Sequence, residues 1–380
     1  MIYTEKVILF LIISLFVSKC TFSQNCNWLI DSSAEHKMNS DFIILTNKMK
    51  DNQLFVLGEQ HKHIEDIEID WIVFKNLRKK FKKVDLIVEA PLSYTILLND
   101  YLSKNDTTIL KLKNQIPCLA QENIKRLKTV YDTSTYRFKV IGVDIDYGFT
   151  KFTQLALRHL CHKSEIKSFD NLKYSSDFSY LLFIVGVEDD LDKINFCSRK
   201  RLYKASKKIM LEKQDDYRIF FGENYGNFYR VLQDLCIGYK ERKNIVGEVR
   251  ENLIFERVKN LLLSNSDRKY FAVYGNAHVN KNSTKGHQFT SFSKQLFDEG
   301  FKVFTGYRFY TYYEIVDDMK LKNFLWYMSI SFGIEDIERS NLLKDYFYKK
   351  ENYVIEPYEL EIDDVDFVLF LNKPLIYMEK

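Results

Sequence analysis

Short apolar runs alternate with amphipathic stretches through the first 150 residues, and this alternation narrows the possible folds more than any other feature. Residues 53–57 (QLFVL) form an apolar run stopped by Gly58, the length and composition of a buried strand. Over 64–81, apolar residues fall at Ile64, Ile67, Trp71, Phe74, Leu77 and Phe81, the spacing of an amphipathic helix. Glu65, Asp66 and Glu68 crowd its first turn and Arg78, Lys79, Lys80, Lys82 and Lys83 its last, both matched to the helix dipole. Residues 84–88 predict a second strand, ended by Glu89-Ala90-Pro91. Helical stretches over 93–103 and 119–131 lead to a third strand at 138–143, ended by Asp144-Ile145-Asp146. Strand, helix, strand, helix, strand is the order of a parallel sheet with helices on its faces. Residues 150–265 then predict only helices, near 152–162, 199–213, 224–239 and 245–263. Strands return at 270–274, 302–305 and 367–371, with a helix over 289–299. The fold class expected is α/β: a central, mostly parallel sheet flanked by helices, with a helical insertion between the third and fourth core strands. The expected organisation is one α/β domain over 24–380, in which 163–245 forms a helical insertion or lid.

In an open parallel sheet, ligands collect beyond the carboxyl ends of the strands. The first strand is followed there by Gly58-Glu59-Gln60-His61, with His63 close behind, and the second by Glu89. The third is followed by Asp144 and Asp146, and the fourth by Gly275-Asn276-Ala277-His278. Four strand ends therefore offer carboxylates and imidazoles, which cost free energy to gather without a use. Such residues suit hydrolysis: a histidine can take a proton from water while a carboxylate orients its ring. A second histidine or an arginine can stabilise the charge that develops. The same set could instead hold a divalent metal that activates the water, with His61, Glu89 and His278 as ligands. Asp146 is also placed to cap the following helix. His36, His159, His162 and His287 have no partner pattern and are expected as surface or core residues. Tyr217, Phe220, Phe221, Tyr225, Phe228 and Tyr229, at helical spacing, are expected in a core, the alternative being the wall of an apolar pocket.

Several function classes are excluded. The net charge of +4 is spread along the chain with no basic stripe interleaved with aromatics, so no nucleic-acid partner is expected. No G-x-S-x-G, H-E-x-x-H, P-loop or G-x-G-x-x-G is present. Lys6 followed by the apolar run 7–17 has the form of a signal peptide and is too short to span a bilayer. Cleavage is expected after Ser23, so the mature chain lies outside the cytoplasm, periplasmic or extracellular, without a stable membrane span. A lipid anchor at Cys20 is the alternative, against which Lys19 stands where a small residue is wanted. Cys26, Cys118, Cys161, Cys197 and Cys236 remain after cleavage, an odd number that cannot all pair within the chain.

At these residues the sequence resembles the erythromycin esterase-like superfamily, which also takes in the Tiki/TraB proteases and the ChaN haem-uptake lipoproteins. Leu57-Gly58-Glu59-Gln60-His61 is similar to the family's G-E-x-H motif, Val88-Glu89-Ala90 to its strand-end glutamate, and Gly142-Val143-Asp144 to its G-x-D. Val249-Arg250-Glu251-Asn252-Leu253-Ile254 resembles its helical R-[DE]-x-x-M segment, with Ile254 in place of the methionine and Arg257 where an asparagine is common. Gly275-Asn276-Ala277-His278 stands where the second catalytic histidine is expected, and 365–370 resembles the closing strand. Residues 163–245 match nothing in the family, so macrolide specificity is not implied.

The resemblance implies a hydrolase acting on an ester or lactone-like bond of a small molecule. His61 would be the general base for water, and Glu59 and Glu89 would orient it or share its proton. His278 would polarise the scissile group, Arg250 would steady a carboxylate or an oxyanion, and Asp144 and His63 would contact substrate. No cofactor is required in this reading, although a divalent metal is possible. The competing readings are a metal-dependent protease of the Tiki/TraB type and a non-catalytic haem- or iron-binding protein of the ChaN type.

Overall fold

The computed structural model describes residues 28–30, 47, 49–59, 64–110, 118–146, 150–164, 199–211, 214–241, 247–281, 289–310, 353–355, 366–371 and 376–378. The strands are β1 (Trp28–Ile30), β2 (Leu54–Glu59), β3 (Val84–Pro91), β4 (Val140–Asp144), β5 (Lys269–Gly275), β6 (Val303–Tyr310), β7 (Tyr353–Ile355), β8 (Phe367–Leu371) and β9 (Ile376–Met378). The helices are α1 (Ile64–Phe81), α2 (Leu92–Lys104), α3 (Cys118–Thr133), α4 (Thr150–Lys163), α5 (Arg199–Leu211), α6 (Gln214–Phe221), α7 (Tyr225–Lys240), α8 (Glu248–Ser264) and α9 (Phe292–Asp298). The chain is α/β, as the alternation predicts, and α5, α6 and α7 lie between the third and fourth core strands, β4 and β5.

Seven strands form one sheet in the order β4-β3-β5-β2-β6-β8-β7, with β1 and β9 paired separately. The ladders from β4 to β8 are parallel, and β7 runs antiparallel on β8. β5 threads between β3 and β2, so strands distant in sequence become neighbours. Leu54 to Glu59 lie opposite Tyr270 to Gly275 in strict register. This sets Gly58 and Glu59 beside Tyr274 and Gly275 at the same end of the sheet, with Glu89 on the far side of β5.

Alternation along the strands sorts side chains onto two faces. Phe55, Leu57, Val84, Leu86, Val140, Phe271 and Phe304 pack with α1, α2 and α3, and Phe55 meets Phe271 and Phe304 edge-on at 5.4 and 5.3 Å. Leu54, Val56, Ile87, Tyr270, Ala272 and Tyr274 face α8 and α9. A third core joins α2 and α4 to α5, α6 and α7. Tyr217, Phe220, Phe221 and Phe228 are all buried there, with Phe221 and Phe228 stacked at 3.8 Å, so these four serve packing as expected. Helix α6 has no counterpart among the sequence expectations. It is eight residues long, too short for its apolar period to stand out beside α7.

β4 is an edge strand of the sheet, and its outward backbone groups are met by side chains. The Asn99 amide donates to the Val140 carbonyl and accepts from the Val140 N–H, at 2.7 and 3.0 Å. The Thr95 hydroxyl accepts from the Gly142 N–H. Arg230 of α7 donates to the Gly142 carbonyl, and Arg257 of α8 to those of Val143 and Asp144. An open edge invites pairing with another chain, and here it is closed without a further strand. Gly238 of α7 allows that helix to approach, because a β-carbon there would stand 1.9 Å from the Asp146 carbonyl. Asp146 also accepts from the Thr153 hydroxyl near the start of α4.

Cys161 and Cys236 are buried free thiols, and burial pushes them up to about 12 and about 11, away from reactivity. His159 sits in a buried ionic group with Asp100, Lys163 and Asp106, so its partners are real although no sequence pattern marks them. Among the described residues, no helix is long and apolar enough to cross a membrane.

Candidate active site

The site forms where β3, β5 and the N-terminal turn of α8 meet. Glu89 lies in an irregularity of β3, where the register against β4 slips between Val88 and Pro91. Such a slip re-aims a side chain, and Glu89 reaches toward α8. Its Oε2 accepts from the Gly275 N–H at 3.0 Å, and its Oε1 from Arg250 Nη2 at 2.5 Å. Arg250, near the start of α8, also grips Asp144: Nε donates to both carboxylate oxygens at 3.0 and 3.2 Å, and Nη2 to Oδ2 at 2.5 Å. One guanidinium thus binds two strand-end carboxylates through its planar fork.

His278 stands beside this pair. It closes the 3-10 turn Asn276–His278 that follows β5, and only 5% of it is exposed. Its ring stacks on Phe289 and meets Tyr274 edge-on, both at 5.5 Å between centroids. Nδ1 lies 2.6 Å from Oε1 of Glu251. Nε2 faces the other way, 3.4 Å from Arg250 Nη1 and 3.8 Å from Glu89 Oε1. Glu251 is buried in the first turn of α8, and its other oxygen accepts from the Phe292 N–H at 2.9 Å. It therefore lies against the histidine on one side and caps α9 on the other.

The electrostatics follow from this geometry. Burial pushes the Glu89 carboxyl up, but His278, Arg250 and the Gly275 N–H outweigh it, and the net shift is downward. Burial works against the Arg250 cation, yet Asp144 and Glu89 hold its proton more firmly than in water. Burial raises the Tyr274 phenol well above its ordinary value, and the neighbouring carboxylates add to the effect, so Tyr274 stays neutral. Behind the site, Asp234 contacts Arg257. Burial lifts its carboxyl to about 6, with Arg257 and Arg230 opposing the rise.

Of the residues the sequence pointed to, the structure brings together Glu89, Asp144, Arg250 and His278. Glu59 ends β2, half-buried, opposite Gly275 in the ladder. Asp144, expected at the substrate, is buried and held by Arg250 and by the Ile145 N–H. His61 and His63 lie outside the described residues. Glu251 joins the site without having been singled out, although the acidic position of the R-[DE]-x-x-M segment was its signal. Arg308 was missed as well. It is fully buried on β6, and it donates to the Gly58 carbonyl at 3.0 Å and to Asp70 of α1 at 2.7 Å.

Among solved structures, the erythromycin esterase EreC, as a histidine-to-asparagine mutant in its open conformation, superposes with a TM-score of 0.58 at 12% identity. The match covers 93% of this chain and 99% of that one. The chain has the fold of an erythromycin esterase. A Bacillus cereus protein gives a TM-score of 0.59 at 10% identity over 90% of this chain and 93% of its own. These likenesses run through nearly the whole of both partners, and at such identities they are likenesses of fold. No protein-family model matches the sequence, and no curated sequence is significantly similar to it.

Proposed function

We propose that this protein is a hydrolase of the erythromycin esterase type, in which histidine-activated water attacks an ester or lactone-like bond of a small molecule. The observation that carries the reading is His278 held between Glu251 and the Glu89–Arg250 pair. Nδ1 lies 2.6 Å from the buried Glu251 carboxylate, and Nε2 is turned to the side of Arg250 and Glu89. His278 can then take or give a proton at Nε2, in a space it shares with Glu89 and the Arg250 guanidinium. Asp144 locks the guanidinium of Arg250, whose Nη1 is aimed at the same space and can meet a developing oxyanion. His61 is the general base for water in this reading, with Glu59 and Glu89 orienting it and His63 at the substrate. The shared fold of an esterase adds support.

The reading calls for no metal, because Arg250 already supplies the positive charge between Glu89 and Asp144. We place the mature protein outside the cytoplasm, as its leader segment suggests.

The test is turnover of a panel of aryl esters and macrolactones by purified wild type and by His61→Ala and His278→Gln, with and without a strong chelator. Chelation should leave the rate unchanged, and His278→Gln should lower kcat by about 10²–10⁴-fold. Full activity in either variant would refute the assigned chemistry, and loss of activity on chelation would favour the metal-dependent reading.

A further inference from the structure

The ladder between β2 and β6 stops at Leu57 opposite Gly306, although β6 continues to Tyr310. Beyond that point the backbone of Arg308 is met by a side chain. Asn276 Nδ2 donates to the Arg308 carbonyl at 3.0 Å, and Asn276 Oδ1 accepts from the Arg308 N–H at 3.4 Å. The amide takes the place of a strand neighbour, satisfying one donor and one acceptor as a peptide group would. Gly58 lies directly beneath it: a β-carbon on Gly58 would stand 2.1 Å from Asn276 Oδ1 and 3.1 Å from Asn276 Cγ and Val279 Cγ2. The glycine of the first Gly-x-x-His turn is therefore a cradle for the asparagine of the second. The Arg308 side chain closes the arrangement by donating to the Gly58 carbonyl.

We propose that Asn276 is a positioning residue: it clasps the carboxyl ends of β2 and β6 and so fixes the Asn276–His278 turn that aims His278 at Glu251 and Glu89. The proposal deepens the hydrolase reading and rests on it for its catalytic consequence. Asn276 bonds to the backbone of Arg308, so its effect on His278 runs through the turn. A residue held for stability alone would not move the His278 ring when changed.

The experiment uses the full mature chain with Asn276→Ala, Asn276→Asp, Gly58→Ala and the Gly58→Ala/Asn276→Ala double variant. Asn276→Asp keeps the size of the side chain and removes the donor to the Arg308 carbonyl. Three readouts are taken: melting temperature, the NMR signal of the His278 imidazole assigned by its loss in His278→Gln, and kcat against KM. Gly58→Ala should lower the melting temperature sharply alone and far less on the Asn276→Ala background, because the clashing amide is gone. Recovery of folding by Asn276→Ala in an otherwise unfolded Gly58→Ala protein counts as the same result. The His278 signal should shift in both Asn276 variants, with kcat falling about 100-fold and KM changing by less than about 3-fold. An equal melting loss from Gly58→Ala on both backgrounds, or an unmoved His278 signal in both Asn276 variants, would overturn the proposal. Failure of the wild type to hydrolyse any ester would sink the hydrolase reading instead, and the melting and NMR results would still decide the role of Asn276.

Discussion

Replacing Arg250 with methionine tests the electrostatic core of the site most directly. The substitution keeps much of the side-chain volume and removes the guanidinium bound to both Glu89 and Asp144. Glu89 keeps the Gly275 N–H and Asp144 keeps the Ile145 N–H, yet each carboxylate loses the guanidinium held against it. Removing one partner of a buried ionic pair typically costs about 3–5 kcal/mol, and Arg250→Met should lose about that much at pH 7. The loss should also depend on pH. In the wild type the folded Glu89 carboxyl lies below its ordinary value, so it contributes stability above the unfolded pKa that disappears as pH falls through the folded one. Without Arg250 the upward push of burial is still opposed by His278 and the Gly275 N–H but no longer by the guanidinium. The folded Glu89 would then favour its neutral form, and the penalty would be greatest at neutral pH and relieved in acid. A tenfold change in proton affinity is worth about 1.4 kcal/mol, so the difference between wild type and variant should shrink by roughly 1–2 kcal/mol between about pH 7 and about pH 4.5. Urea unfolding of both proteins at the two pH values measures this. A difference below about 1 kcal/mol at pH 7, or one that is the same at both pH values, would refute the reasoning.

Three further substitutions probe the histidine's support and the packing of α7. Glu251→Gln should fold, since its amide oxygen can still accept from the Phe292 N–H, but should cut kcat by about 10²-fold or more by misorienting His278, with little change in KM; an unchanged kcat would separate Glu251 from the chemistry. Gly238→Ala, with its β-carbon 1.9 Å from the Asp146 carbonyl, should cost about 1–3 kcal/mol in a melting experiment. Gly226→Ala on the same helix meets nothing within 4 Å and should be neutral or stabilising by up to about 1 kcal/mol, so equal losses at the two glycines would discredit the packing argument.

The sheet was legible in the sequence because each core strand is an apolar run that ends abruptly in polar residues. The lengths differ from expectation mainly at the carboxyl ends, past the glycine or acid that closes the apolar run: β2 runs on to Glu59, β3 to Pro91 and β6 to Tyr310. β1, β7 and β9 are three residues long, and such short pairings carry no period to detect. Glu89, Asp144 and His278 could be named because they follow strands directly. Glu251 stands in the R-[DE]-x-x-M segment but is easily passed over, since an acid in the first turn of a helix ordinarily serves the dipole. Asn276 and Arg308 became meaningful only with the register, which sets two residues far apart in sequence across one gap in the sheet. Arg308 in particular reads as a surface cation on a strand end, whereas it is wholly enclosed and bound to Asp70.

The sealing of the β4 edge has a consequence for how such a chain can diverge. Arg230 and Arg257 come from helices that follow the helical insertion's start, and they hold the strand by its carbonyl oxygens. Every residue type presents the same oxygen. The strand can therefore exchange side chains, and the inserted helices theirs, without either losing its grip on the other, provided an arginine arrives from the right helical turn and Gly238 keeps the close approach. Contacts addressed to the main chain leave no trace in the strand's own letters. A segment docked in this way can drift until nothing in it matches its relatives while its place in the architecture stays the same.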